Sequence, residues 1–176
     1  MTASDVVATC ALVFTIASFW WLYARAGKLQ IVGEPRSYSF AAPTASRQLM
    51  LNLPLVFTNS RPLAAVAVNL RLRLDAPGFP SIVTFVATHD AVVPEKATRK
   101  MATSIVIQGR ETRVICCEFM AEPCDIAEPV NFPVTVEAFV WRRRRRAWQP
   151  LLTFPLRLQD DAVKQRDTYL TYDNQV

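Results

Sequence analysis

Two segments of the chain carry a large apolar residue at every second position. All odd-numbered positions of Leu49–Phe57 are large and apolar, and in Val66–Leu74 the even-numbered positions are apolar. Successive side chains of a strand point to opposite faces, so each segment is predicted to be a strand with one face in a core and one in water. In the second strand this pattern places Val66 and Val68 in the core. The turn residues Thr58–Pro62 separate the two strands.

Other segments have the same character, and the short Gly109–Glu111 segment connects two of them as a hairpin. The further predicted strands are Leu29–Gly33, Ile82–Thr88, Thr103–Gln108, Thr112–Met120, Phe132–Trp141 and Trp148–Leu158. No helical pattern separates these strands, which makes a parallel α/β sheet a poor fit. We therefore expect a mainly β domain over residues 26–159, an antiparallel immunoglobulin-like β-sandwich of about eight strands.

The chain begins with an apolar segment, Val6–Ala24, that contains no formal charge. As a helix it would span roughly 28 Å, close to the thickness of a bilayer core. Trp20, Trp21 and Tyr23 cluster at its C-terminal end, where aromatic rings favour the headgroup level. Residues 1–25 are thus predicted to be a transmembrane anchor that brings the chain to a lipid bilayer.

Two alternatives to an anchor remain open. A helix buried in a soluble domain would also be apolar, although no other helix is predicted to pack against it. A cleaved signal peptide is the second alternative, since Ala24–Ala26 resembles a cleavage site. Against cleavage, no basic residue precedes the apolar segment, and the segment is longer than a usual signal core.

The charges flanking the segment predict its orientation. Arg25, Lys28, Arg36 and Arg47 follow it, whereas Asp5 precedes it. The positive-inside rule then places the N-terminus outside and the β domain in the cytoplasm, as a single-pass membrane protein.

Small residues recur along one face of the predicted helix at spacings of three and four. They are Ala8, Ala11, Thr15 and Ser18. Such a face lets helices approach closely in lipid, so it is a candidate contact with a membrane partner or a second copy. The alternative is that these residues are simply common in membrane helices.

The basic character of the chain is local. It has 20 basic and 15 acidic residues, and five of the basic ones form the run Arg142, Arg143, Arg144, Arg145, Arg146 between two predicted strands. Three interpretations compete: a solvated hairpin tip, contact with anionic lipid headgroups or an acidic protein, and contact with nucleic acid. Trp141 and Trp148 flank the run and could stack on bases, although cross-strand aromatic packing is simpler.

Few residues suit catalysis or metal binding. His89 is the only histidine, and no nucleophile elbow, phosphate loop or dinucleotide motif occurs. Cys116, Cys117 and Cys124 lack the paired spacing of a zinc site. We expect no enzyme activity, no metal and no cofactor. Free thiols would suit a reducing cytoplasm, and a bridge from Cys124 to Cys116 or Cys117 would indicate an exported domain.

Residues 160–176 form a polar C-terminal segment, predicted to be either a frayed tail or a docking peptide anchored by Tyr169, Leu170 and Tyr172. Two irregular segments, Ala91–Lys100 and Pro123–Pro129, are candidate partner-contact loops.

The segment Asn52–Pro62, followed by Val66–Leu72, resembles a pattern in small bacterial membrane-anchored proteins. Those proteins carry one N-terminal span and one immunoglobulin-like β-sandwich. Gly109–Thr112 before a strand ending at Phe119, and the final Trp-bearing hairpin, fit the same layout. The resemblance covers most of the chain and implies fold and topology, whereas the arginine run departs from it.

The sequence as a whole favours a membrane-anchored, non-catalytic binding, scaffold or accessory subunit that presents a β-sandwich to a protein partner at the cytoplasmic face. One alternative is an exported, membrane-tethered surface module. The other is a protein that contacts anionic lipid or nucleic acid through Arg142–Arg146.

Overall fold

The computed structural model describes residues 2–41, 48–75, 79–92, 98–121, 131–142, 145–158 and 170–174. Its helical part is α1, Ala3–Phe19, continued by a π-helical turn, Trp20–Ala24. The strands are β1 Leu29–Ile31, β2 Ser37–Ala41, β3 Leu49–Asn59, β4 Ala65–Leu74, β5 Ile82–His89, β6 Arg99–Met101, β7 Ile105–Ile107, β8 Thr112–Ala121, β9 Asn131–Arg142, β10 Arg145–Arg157 and β11 Leu170–Asp173.

The N-terminal helix stands apart from the β domain. Thr2 caps it, with its hydroxyl accepting from the Asp5 N–H while the Asp5 carboxylate accepts from the Thr2 N–H. Ala3–Ala24 is long and apolar enough to cross a membrane, and none of it is buried in the protein. The structure thus confirms a single N-terminal apolar helix, and it excludes a helix buried in the domain core.

The strands form one antiparallel sheet in the order β10–β9–β4–β5–β8–β3–β2–β11, with β1 beside β3, β6 beside β5 and β7 beside β4. The sheet curls around a single apolar core to which almost every strand contributes. The predicted fold class, one N-terminal helix before a mainly β, antiparallel, sandwich-like domain, is confirmed.

The alternation in β3 matches the structure on its core face, whereas on its other face Asn52 is also buried. Its odd-numbered apolar residues from Leu49 to Phe57 are all at least 97% buried. The alternation in β4 matches only in its second half, where Leu70, Leu72 and Leu74 are buried.

In the first half of β4 the prediction is wrong. Val66 and Val68 are exposed, and Ala65 and Ala67 are buried in their place. The register against β9 shifts between Ala67 and Asn69, so a β-bulge reverses which face each side chain takes.

A second bulge lies in β5. Its register against β8 shifts between Phe85 and Ala87. Phe85 therefore packs in the core against Phe119, with ring centroids 5.8 Å apart, whereas Ala87 and His89 lie on the opposite face of the sheet.

Four residues from the predicted polar tail belong to the sheet. Leu170–Asp173 pair with β2 as an edge strand, and Tyr172 is buried, with its ring stacked 5.5 Å from that of Tyr38. At these residues the tail prediction is corrected, because backbone pairing and a buried aromatic ring attach them to the β domain. Tyr169 lies outside the described residues, as do the side chain of Leu170 and the Pro123–Pro129 loop.

Side-chain hydrogen bonds connect β10, at one edge of the sheet, with β2 and β11 at the other edge. Asn174, just after β11, accepts from the Arg157 N–H of β10 at 3.1 Å and donates to the Pro155 carbonyl at 2.9 Å. The Tyr38 hydroxyl of β2 donates to the Arg157 carbonyl. These bonds replace strand pairing where the curled sheet closes, and they leave the edge of β10 less open to other chains.

Candidate functional site

The C-terminal end of the helix is hydrogen-bonded to the β domain. The Arg110 guanidinium donates to the Leu22 carbonyl at 2.8 Å. This carbonyl is in the last turn, where helix carbonyls lack partners further along the helix. The Leu63 N–H donates to the Arg25 carbonyl at 3.4 Å, and the Arg61 side chain donates to the Ala26 carbonyl at 3.2 Å. We call the surface formed by residues 25–28, 59–65 and 107–113 the anchor-proximal end.

Asn59 holds the anchor-proximal end together. It is fully buried. Its Oδ1 accepts from the N–H groups of Lys28 and Arg61, each at 3.1 Å. Its Nδ2 donates to the carbonyls of Leu63 at 2.8 Å and Gln108 at 3.0 Å. One amide therefore joins the chain after the helix, the β3–β4 turn and the β7–β8 turn.

Two glycines let the backbones approach closely here. A Cβ on Gly27 would lie 2.4 Å from the Ala64 carbonyl oxygen, and one on Gly109 would lie 1.7 Å from that of Pro62. Arg110, next to Gly109, adopts a left-handed conformation with φ of 60°. The prediction of a hairpin at Gly109–Glu111 is wrong, because β7 pairs with β4 whereas β8 pairs with β3 and β5. The segment is a turn that packs closely against the β3–β4 turn.

Basic side chains predominate at the anchor-proximal end. Arg25 places its guanidinium 3.8 Å from the ring centroid of Trp21, which suits a cation beside the aromatic belt of a membrane helix. The acidic residue Glu111 accepts from the Gln108 N–H at 2.7 Å. The basic residues of this end are Arg25, Lys28, Arg61, Arg110 and Arg113.

The described part of the arginine run lies at the same end of the β domain. β9 and β10 form the predicted hairpin, with Arg145 opposite Arg142, and Arg143 and Arg144 lie outside the described residues. β4 starts at the anchor-proximal end with Ala65 and runs antiparallel to β9, with Ala67 opposite Val140. Arg142 of β9 is therefore level with the start of β4, at the end of the β domain from which the helix leaves. Arg146 is exposed.

Trp148 packs across the strands, as the simpler interpretation predicted. It lies opposite Phe139, with ring centroids 5.3 Å apart. The Arg71 guanidinium lies 4.2 Å from the centroid of the Trp148 ring, and its Nε donates to Glu137 at 2.7 Å. The side chain of Trp141 lies outside the described part of the chain.

A second polar cluster is buried on the outer face of β5 and β8. The His89 Nε2 and the Glu118 carboxylate are in hydrogen-bond contact, and each side chain is only 1% exposed. Arg99, on β6, donates to the same carboxylate at 2.9 Å. The bulge in β5 makes this contact possible, because it moves His89 to the face that carries Glu118 and Cys116.

The backbone of Val92 covers the neighbouring part of this face. Its carbonyl accepts from Ser39 at 2.9 Å and from Asn52 at 2.8 Å. Among the described residues, the His89 Nδ1 and the Asn52 Oδ1 are buried without a hydrogen-bond partner. Part of the irregular segment Ala91–Lys100 is thus fastened to the domain, and residues 93–97 of it lie outside the described residues.

The charge state of this cluster suits a structural role. Burial alone would raise the pKa of Glu118, but hydrogen bonds from Arg99 and His89, with the charge of Arg99, hold it below its ordinary value. Burial raises the pKa of Cys116, beside His89 in register, and that of Cys117. Both thiols are free and protonated at neutral pH, which makes them poor nucleophiles. Cys124 lies outside the described residues.

Within the described ranges, no group of three or more His, Cys, Asp or Glu is arranged to hold a metal ion. Ala8, Ala11, Thr15 and Ser18 all lie on α1. The Thr15 hydroxyl donates to the Ala11 carbonyl at 2.8 Å, so its hydrogen bond is made within its own helix.

Asn59 and Glu118 are the residues that sequence reasoning missed. Asn59 lies in the predicted turn Thr58–Pro62 and Glu118 in the predicted strand Thr112–Met120, and neither was a candidate site residue. A polar residue that interrupts an otherwise apolar pattern was the available signal. Neither a protein-family model nor a curated protein matches this chain, so the function has to be argued from the anchor-proximal end and the helix that leaves it.

Proposed function

We propose that this chain is a membrane-anchored, non-catalytic binding or accessory subunit that presents its β-sandwich to a protein partner at the cytoplasmic face of a bacterial plasma membrane. The observation that carries the proposal is the apolar helix Ala3–Ala24, of which no part is buried in the β domain and whose end is hydrogen-bonded to that domain. An apolar rod of this length is stable where lipid surrounds it.

The linkage at the anchor-proximal end supports a presenting role. A flexible linker would let the domain tumble, whereas the bonds from Arg110, Arg61 and Asn59 hold it in one orientation to the span. A fixed orientation lowers the entropy cost of binding a partner that is held in the same membrane.

The charge distribution favours the cytoplasmic side. The basic residues Arg25 and Lys28 directly follow the helix, and Arg61 and Arg110 are brought beside them by the fold. Asp5 is the charged side chain at the other end. Translocating the basic flank would be less favourable than translocating the short N-terminus.

A non-catalytic role is supported by the state of the candidate chemical groups. His89 is buried against Glu118, and the Arg99 guanidinium donates to the same carboxylate. A general base needs access to substrate, and these groups instead fasten β6 to the sheet.

Fractionation and vesicle proteolysis test the anchor and its orientation. We expect the intact chain to stay with membranes in alkaline carbonate and to dissolve only with detergent. The β domain should be digested in inside-out vesicles and protected in right-side-out vesicles. Release by carbonate, or a mature chain that lacks residues 1–24, would overturn the anchor. Digestion only in right-side-out vesicles would instead establish the exported surface module.

Purification in mild detergent tests the subunit role. We expect the tagged full-length chain to co-purify with a stoichiometric membrane partner or a second copy. The matched control replaces Ala3–Ala24 with an unrelated apolar span of equal length, which keeps the anchor and removes the face of Ala8, Ala11, Thr15 and Ser18. If the partner still co-purifies with this control chain, the contact lies in the β domain. A monodisperse monomer from both chains would contradict the subunit role.

A further inference from the structure

We infer that the β9–β10 hairpin end and the anchor-proximal end together form one surface that binds anionic phospholipid headgroups of the leaflet from which the helix emerges. The inference rests on the proposed membrane anchoring and adds a lipid partner to it. It starts from three arginines whose backbone the structure describes, Arg142, Arg145 and Arg146.

Strand register brings these arginines to the membrane side. Ala65 of β4 lies opposite Ile107 of β7, and both adjoin the turns that bond to the helix end. On the other side of β4, Val140 lies opposite Ala67. Because β9 runs toward the anchor-proximal end, Arg142 is level with the start of β4, roughly 5 Å away across one strand spacing.

The helix direction makes this end face the bilayer. If α1 folded back along the sheet, part of it would be buried, and none of it is. The Leu22 and Arg25 carbonyls are bonded to the anchor-proximal end. The helix therefore extends away from that end, and a bilayer around the helix would come to lie against it.

The composition of this end suits a headgroup layer. Its basic residues outnumber its acidic ones, and exposed aliphatic side chains lie among them. Leu63 is exposed in the β3–β4 turn, and Val66 and Val106 form an exposed cross-strand pair nearby. Cations beside aliphatic groups are the composition of peripheral membrane-binding surfaces.

Nucleic acid fits this surface less well than lipid. Base stacking needs an open aromatic ring, but Trp148 is packed against Phe139 and carries the Arg71 guanidinium on its ring. A nucleic acid would also have to enter between the β domain and the bilayer. Lipid phosphates are already there.

Hydrogen exchange on the full-length chain in nanodiscs tests the inference. We compare discs of pure phosphatidylcholine with discs containing phosphatidylglycerol, and follow peptides that cover residues 139–147. Exchange should slow about fivefold in the anionic discs, because one arginine near an anionic surface gains about 1 kcal/mol. High salt should remove the difference between the discs.

Two triple variants at Arg142, Arg145 and Arg146 provide the controls. Replacement by Ser should abolish the difference between the discs, and replacement by Lys should retain most of it, because the attraction depends on charge. An unchanged unfolding midpoint of the Ser variant shows that it folds. If that midpoint falls, the Lys variant and the salt reversal still decide the question.

Other outcomes would overturn the inference. Equal exchange in both kinds of disc would do so, as would slower exchange in both discs only when RNA or DNA is added. Carbonate extraction of the same chains keeps the anchor separate, since a Ser variant that stays in the membrane without lipid-dependent protection contradicts only the lipid surface.

Discussion

Asn59 Oδ1 accepts the backbone N–H of Lys28 at 3.1 Å, although 31 residues separate the two in the chain. Through this bond the segment that follows the apolar helix is tied to the end of β3. The base of the helix is therefore attached to the β domain, although no part of the helix is buried in it.

Asn59→Ala should destabilise the β domain by about 3 kcal/mol, because it removes several hydrogen bonds to partly buried backbone groups at once. Urea unfolding of the full-length chain in detergent, followed by far-ultraviolet circular dichroism, measures the change. Asn69→Ala is the matched control, since Asn69 is exposed and bonds only to its neighbour Leu70. Equal losses in the two variants would contradict a central role for Asn59.

Gly109→Ala should cost about 2 kcal/mol or more, because its Cβ would collide with the Pro62 backbone, which cannot move aside as a side chain can. Gly33→Ala is the comparison. Gly33 has φ of 76° but nothing within 4 Å of an added Cβ, so the cost is conformational strain of about 1 kcal/mol. A Gly33 variant less stable than the Gly109 variant would argue against close contact of the two turns.

Glu118→Gln should destabilise the domain by about 3 kcal/mol at neutral pH, because it removes the charge that pairs with His89 and Arg99 in a buried site. Arg73→Gln, which breaks a contact of 3.5 Å with Glu137 on an exposed arginine, should cost less than about 1 kcal/mol. Thermal melts in detergent would compare the two.

Glu118 should also make the stability of the domain depend on pH in the acid range. The folded pKa of Glu118 is depressed, so its stabilisation is complete above the unfolded value of about 4.3 and is lost as pH falls through the folded pKa. The free energy of unfolding of the wild-type chain should drop over that interval, and the Glu118→Gln variant should show a smaller drop. Parallel pH profiles would show that Glu118 does not contribute.

Tyr172→Ala should destabilise the domain by about 3 kcal/mol, because it empties a buried site against Tyr38. Thr171→Ala, on the exposed face of the same strand, should cost less than about 1 kcal/mol. Urea midpoints test both. An unaffected Tyr172 variant would mean that β11 adds little to the sheet.

Several elements of this protein could be predicted from local sequence alone. The apolar helix, the buried ladder Leu49–Phe57 and the β9–β10 hairpin follow from composition, alternation and turn residues that lie within a few positions of one another. These elements match because hydrophobic periodicity and turn formation depend on neighbours in the chain.

Tertiary structure decided the features that depend on distant partners. The bulges that expose Val66 and bring His89 to Glu118 arise from pairing with β9 and β8, which no local pattern encodes. Docking of Tyr172 and burial of Asn59 require strands far away in the chain. Likewise, only strand order and direction place Arg142 level with the start of β4, because one sequence of strands can be arranged in many registers until the core is packed.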